Sequence, residues 1–136
     1  MTRAIYYACI LGMTLVAGCG NKAPVDLVEV APGGAVSQSR NRHGAVPVAT
    51  EFRHAMTISN PTVDRAAISS FKLSCECATL QPANLIVEPG EQEICHLLVD
   101  LRKESTFVGE LGIEINGMNE QGGVVLRHLV IVDVEP

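Results

Sequence analysis

The stretch Glu51–Ser59, EFRHAMTIS, decides the fold class because apolar and polar residues alternate along it. Phe52, Met56 and Ile58 share one parity, and most of the positions between them are polar or small. Such a period of two is typical of a strand with one buried face, whereas a helix repeats its apolar positions roughly every 3.6 residues. Asn60-Pro61 follows, and proline ends a strand because it donates no hydrogen bond to a sheet. The stretch therefore predicts a half-buried β-strand.

Similar patterns recur towards the C-terminus, between turn signals. The sequence EPGE at 88–91 has the proline and glycine of a tight turn, and Asn116-Gly117 is expected to close another strand. No segment after residue 45 has an apolar stripe at helical spacing. Six to seven short strands predict an all-β fold, an immunoglobulin-like antiparallel β-sandwich, with a small barrel as the alternative. The further strands are expected at 67–73, 85–87, 94–101, 107–115 and 124–134.

The N-terminus has the features of an export signal. Arg3 is followed by an uncharged apolar run over residues 4–16, which is too short to span a bilayer of roughly 30 Å. The next residues, Val16-Ala17-Gly18-Cys19, resemble the lipobox of bacterial lipoproteins. This resemblance implies a lipoprotein signal peptide at 1–18 and a lipidated N-terminus at Cys19. The alternative is an ordinary secretory signal cut near Ala17.

The chain that follows is expected to divide into a tether and one domain. Residues 19–44 are rich in proline, glycine and polar residues, which predicts a lipidated flexible tether, with a short strand possible at 25–30. Residues 45–136 form the predicted β-sandwich domain. From Cys19 onward the formal charge is about −6, which argues against nucleic acid as a partner. Acyl chains would hold the domain at the cell membrane or outer membrane, facing the periplasm or the exterior.

Three cysteines remain after Cys19, namely Cys75, Cys77 and Cys95. Each shares the parity of the apolar residues in its expected strand, so a disulfide from Cys95 to Cys75 or Cys77 is predicted, with Cys75 preferred. The alternative is a thiolate site for copper or zinc, or a redox site. His96 does not strengthen a metal site, because neighbours on a strand face opposite sides.

The remaining histidines and motifs do not indicate catalysis. His54 and His128 each lie on the inward parity of an apolar strand, which favours hydrogen-bonded core histidines over ligands. The sequence contains no nucleophile elbow, zinc-protease helix, P-loop or EF-hand loop. We therefore expect no catalytic residue, no cofactor and no bound metal.

The segment Ser74-Cys75-Glu76-Cys77 resembles the Ser-Cys-Gly-Cys-Thr hallmark of the bacterial family known as domain of unknown function 1573. Asn60 matches the strand-ending asparagine of that family, and Pro89-Gly90-Glu91 matches its turn. Glu76 departs from the pattern by replacing glycine. The resemblance implies an immunoglobulin-like domain that is often exported or membrane-anchored and has no established enzymatic activity.

These observations predict a membrane-anchored cell-envelope lipoprotein that is not an enzyme. It would act as a binding or structural module, with an exposed strand edge as the surface for a protein partner. The alternative is a metal-handling or thiol-redox lipoprotein that uses the Cys-x-Cys motif, and a hydrolase is a third possibility.

Overall fold

The computed structural model describes residues 26–136, which contain ten β-strands. Over these residues the single helical element is a 3-10 helix at Leu101–Glu104, and none is long and apolar enough to cross a membrane. The strands are β1 Asp26–Glu29, β2 Ser37–Pro47, β3 Glu51–Ser59, β4 Ala66–Ile68, β5 Ser70–Leu73, β6 Ala78–Gln81, β7 Leu85–Val87, β8 Gln92–Asp100, β9 Gly109–Met118 and β10 Val124–Glu135.

The strands form two four-stranded sheets and one two-stranded ribbon. The first sheet has the order β1-β3-β8-β6, the second has the order β2-β10-β9-β5, and β4 pairs with β7 in the ribbon. The predicted immunoglobulin-like β-sandwich is therefore confirmed as the fold class. It has more strands than expected, and β1 and β2 pair parallel with β3 and β10, whereas the other pairs are antiparallel.

The core lies between the two sheets and is filled by the inward residues of the long strands. In β3, Met56 and Ile58 are buried while Arg53 and Ala55 are exposed, as the alternation predicts. Buried side chains of both sheets belong to one hydrophobic cluster. Its largest fully buried members include Met56, Ile58, Leu97, Leu101, Ile113, Ile115 and Leu126.

The predicted tether is wrong over residues 26–44, because β1 and most of β2 lie there. The short strand expected at 25–30 is confirmed as Asp26–Glu29. β2 alternates as a strand should, but up to Gly44 its partly buried side chains are polar (Ser37, Ser39, Asn41 and His43), and its one buried apolar residue is Val46. The domain therefore includes residue 26 instead of beginning at 45. The expected signal peptide and the lipidated Cys19 lie outside the described residues.

Two local predictions also change. The strand expected at 67–73 is interrupted at Ser69, and its halves, β4 and β5, belong to different sheets. Gly117 does not end a strand but lies within β9, where an added Cβ would be 2.9 Å from Cγ of Leu126. The turn at 88–91 is confirmed: Gly90 has φ of 75°, and the Glu91 N–H donates to the Glu88 carbonyl.

Candidate functional site

Cys75 and Cys77 form a disulfide with each other. They lie where the chain leaves β5 in the second sheet and enters β6 in the first. In the chain-entropy account a loop this short contributes about 1.5 kcal/mol, against roughly 3 kcal/mol for a loop of about 20 residues. The bridge therefore adds less stability than the predicted long-range disulfide would have added.

The predicted disulfide between Cys95 and Cys75 or Cys77 is wrong, because Cys95 is a free thiol. The register explains why. Ala78 pairs with Val99, and the Cys77 carbonyl accepts from the Asp100 N–H, so Cys77 lies beside Asp100 on β8. Asp100 is five residues from Cys95 along that strand, a separation of roughly 16 Å, whereas a disulfide needs Cα atoms within about 7 Å. Parity alone could not reveal this distance.

The three sulfur atoms have different surroundings. Cys75 is half-buried, Cys77 is buried, and the Cys77 N–H donates to Sγ of Cys75 at 3.1 Å. A shallow pocket beside the pair is lined by Leu101, Phe107 and Leu111 and by two acidic residues, Glu76 and Glu104. Cys95 is completely buried, and burial together with nearby Glu93 raises its pKa to about 11. Cys95 is therefore unreactive compared with an exposed thiol.

A second polar site lies between the sheets at the opposite side of the sandwich, where β1 and β2 form the edges. Oδ2 of the buried Asp26 is 2.6 Å from Nε2 of His54 and 2.8 Å from Nε2 of His128. Nδ1 of His128 lies 2.7 Å from the Ser39 hydroxyl, and Nδ1 of His54 lies 2.8 Å from Nδ1 of His43. We call these five residues the Asp26 cluster.

One set of tautomers satisfies every hydrogen bond in the cluster. Both Nε2–H groups donate to Asp26, the Ser39 hydroxyl donates to His128, and Nδ1–H of His43 donates to His54. Burial alone would raise the pKa of Asp26, but hydrogen bonds from His128, His54 and Asn41 outweigh it and hold this pKa well below its ordinary value. Burial and the neighbouring His54 lower the pKa of His43.

The cluster joins the two sheets. β1 and β3 supply Asp26 and His54 from the first sheet, while β10 and β2 supply the other three members from the second. No group of residues within 26–136 has an arrangement suited to a metal ion. The prediction that His54 and His128 are hydrogen-bonded core residues is confirmed. Sequence reasoning missed Asp26 and Ser39 because both lie in the supposed tether.

The open side of β2 is the longest unpaired edge of the two four-stranded sheets. β2 has 11 residues and pairs on one side only, with β10, whereas each of the other three edge strands has four residues. The inward-facing Val48, just after β2, donates its N–H to β10, and the Arg42 N–H donates to the Asn41 side chain. Along a strand, the direction of the side chain and the direction of the N–H group alternate together. The N–H groups of the outward-facing Gln38 and Arg40 therefore point to the open side.

Two arginines without ion pairs among the described residues, Arg40 and Arg127, lie beside this edge. A shallow groove on the outer face of the second sheet is lined by Gln38, Arg40, Glu114, Arg127 and Leu129, among others. Arg42 is neutralised by Asp133 and Glu110, at 2.9 and 3.0 Å. Within residues 26–136, in contrast, neither Arg40 nor Arg127 is in an ion pair.

No protein-family model matches the chain, and no curated protein matches it. Among solved structures, it is similar to WR4, an MSP family member from C. elegans, with a TM-score of 0.48 and 13% identity over 74% of this chain and 92% of that one. The PapD-like domain 7 of human CEP192 has a TM-score of 0.41 and 7% identity over 82% of both chains. The Vibrio cholerae VesB protease has a TM-score of 0.47 and 13% identity, over 71% of this chain and 30% of that one. At these TM-scores the likenesses say nothing about what this chain does.

Proposed function

We propose that this chain is an exported lipoprotein whose β-sandwich binds an extended segment of a protein partner at the open edge of β2. The observation that carries this proposal is the length of β2, whose 11 residues are hydrogen-bonded on one side only. Strand addition at such an edge obtains affinity from backbone hydrogen bonds and specificity from side chains on alternate positions. The proposal requires no catalytic residue, metal or cofactor.

Charge indicates the chemistry of the partner. A second copy of β2 would bring a second unpaired Arg40 to the same edge, and this like charge disfavours self-pairing. An acidic segment would instead meet the free guanidinium groups of Arg40 and Arg127 beside the edge. We therefore assign the edge to an extended acidic peptide segment.

A labelled nine-residue peptide of alternating valine and glutamate tests the edge by fluorescence anisotropy. We expect Arg40→Pro to bind about fivefold more weakly than Arg40→Ala, because proline removes an open-edge N–H and one hydrogen bond is worth roughly 1 kcal/mol. Arg40→Ala is the matched control, since it removes the same side chain and keeps the N–H. A second peptide, of alternating valine and lysine, should bind more weakly than the valine–glutamate peptide. Equal affinity for Arg40→Pro and Arg40→Ala would contradict the proposal.

The proposed location depends on Cys19 and is supported by the lipobox resemblance. Cys19 and Asp26 are seven residues apart, so a lipid at Cys19 would keep the start of β1 within about 25 Å of the membrane surface. Mass spectrometry of the membrane fraction should find the N-terminal peptide at Cys19 with an added diacylglycerol, and Cys19→Ser should abolish it. Recovery of an unmodified soluble protein from wild-type cells would contradict this location.

A further inference from the structure

We propose that Cys75 and Cys77 are a reversible redox pair that exchanges with peptide dithiols carrying apolar and basic residues beside their cysteines. Three observations support the inference: the two sulfurs are already bonded, Cys75 is partly accessible, and the loop that the bond closes is too short to stabilise the fold strongly. This proposal is independent of binding at the β2 edge, which lies on the opposite side of the sandwich.

The difference in exposure assigns the two sulfurs different roles. A substrate thiolate attacks the more accessible Sγ of Cys75, the S–S bond breaks, and its electron pair passes to Sγ of Cys77, which takes a proton from water. The second substrate thiol, as thiolate, then attacks the substrate sulfur of the mixed disulfide and releases Cys75 as a thiolate. The Cys77 N–H, which points at Sγ of Cys75, stabilises that thiolate until it is protonated. Two electrons and two protons leave the substrate dithiol, which becomes a disulfide.

The adjoining pocket indicates the substrate class. Leu101, Phe107 and Leu111 offer an apolar contact, and Glu76 and Glu104 place negative charge beside the reacting sulfurs. A peptide with leucine and lysine next to its cysteines fits this surface, whereas an acidic peptide meets like charge. Cys95 takes no part, because it is fully buried and lies five residues along β8 from Asp100, which is the β8 residue beside Cys77.

The probes are two synthetic dithiol peptides that differ only in having lysine or glutamate beside the leucine and cysteine residues. They are incubated with the full chain in detergent, and mass spectrometry quantifies the oxidised peptide and the thiols on the fragment containing Cys75 and Cys77. We expect the lysine peptide to react about tenfold faster than the glutamate peptide. Cys95→Ser, the matched control, should leave both rates unchanged.

Single-cysteine variants test the order of attack with the oxidised lysine peptide. Cys77→Ser leaves the accessible Cys75 thiol and should form a stable mixed disulfide, at least about tenfold faster than Cys75→Ser, which leaves the buried Cys77. Failure of both peptides to open the Cys75–Cys77 bond would overturn the redox role. Equal trapping rates for the two variants would overturn the assigned order, and equal rates for the two peptides would overturn the substrate class.

Discussion

Asp26 on the first strand and His128 on the last are joined by a 2.8 Å hydrogen bond that crosses from one sheet to the other. The same carboxylate also accepts from His54, so three strands meet at one buried oxygen. A buried carboxylate is favourable only when its acceptor sites are occupied, and a group that loses such a partner keeps its desolvation cost. The cluster therefore fixes the N-terminal strand to the body of the domain.

Removing the central carboxylate should destabilise the fold. Asp26→Ala leaves the Nε2–H groups of two buried imidazoles without their acceptor, and we expect the free energy of unfolding to fall by about 3 kcal/mol. Urea unfolding at pH 7 measures the change. Glu29→Ala, on the exposed face of the same strand, is the matched control and should change stability by no more than about 0.5 kcal/mol. A similar loss in both variants would show that the cluster has no special role.

The cluster should also make stability depend on pH. The pKa of Asp26 is lower in the folded protein than in the unfolded chain, so its contribution to stability is present above the ordinary aspartate pKa of 3.8 and is lost as pH falls below that value. The pKa of His43 is also lower in the folded protein. As pH falls, the unfolded chain therefore binds this proton at a higher pH than the folded chain does, and stability begins to fall below about pH 6.5. His43→Gln should flatten the upper part of this dependence and Asp26→Asn the lower part, as followed by urea midpoints between pH 7 and pH 3. An unchanged profile in both variants would contradict the assignment.

Truncation should distinguish a tether from two integral strands. A chain that begins at Asp26 retains all ten described strands and should unfold cooperatively. A chain that begins at residue 45 loses β1 and most of β2, together with Asp26, Ser39 and His43 of the cluster. We expect it to be unfolded or to melt at a much lower temperature, as followed by circular dichroism. Equal melting temperatures for the two fragments would restore the tether interpretation.

Asn60 should be the least replaceable residue of the loop after β3. It is fully buried, its Nδ2 donates to the carbonyls of Asp64 and Val87, and its Oδ1 accepts from the Thr62 N–H and hydroxyl. Asn60→Ala leaves these groups without a hydrogen-bond partner. It should lower the free energy of unfolding, measured in urea, by about 3 kcal/mol. Thr62→Ala removes only the hydroxyl and should cost about 1 kcal/mol. The reverse order would contradict this view of the loop.

Apolar alternation predicted the strands with apolar inward faces, including β3, β8 and β10. It did not predict the part of β2 before Val46, because the inward positions there include Ser39, Asn41 and His43, which are polar. The cysteine pairing also depends on tertiary register. Cys75 and Cys77 lie in the segment that crosses between the sheets, where the parity of β5 no longer applies. The end of β3 at Asn60-Pro61 and the turn at 88–91 were predictable because both depend on local backbone preferences.

Amide hydrogen exchange along β2, followed by NMR, tests the proposed binding edge most directly. In the free protein we expect the Ser39 and Asn41 amides, which face β10, to exchange slowly and the Gln38 and Arg40 amides to exchange quickly. Saturation with the valine–glutamate peptide should slow exchange at Gln38 and Arg40 by about tenfold or more, because backbone hydrogen bonds then form on the open side. Slow exchange at Gln38 and Arg40 in the free protein, or unchanged exchange with bound peptide, would contradict strand addition at β2.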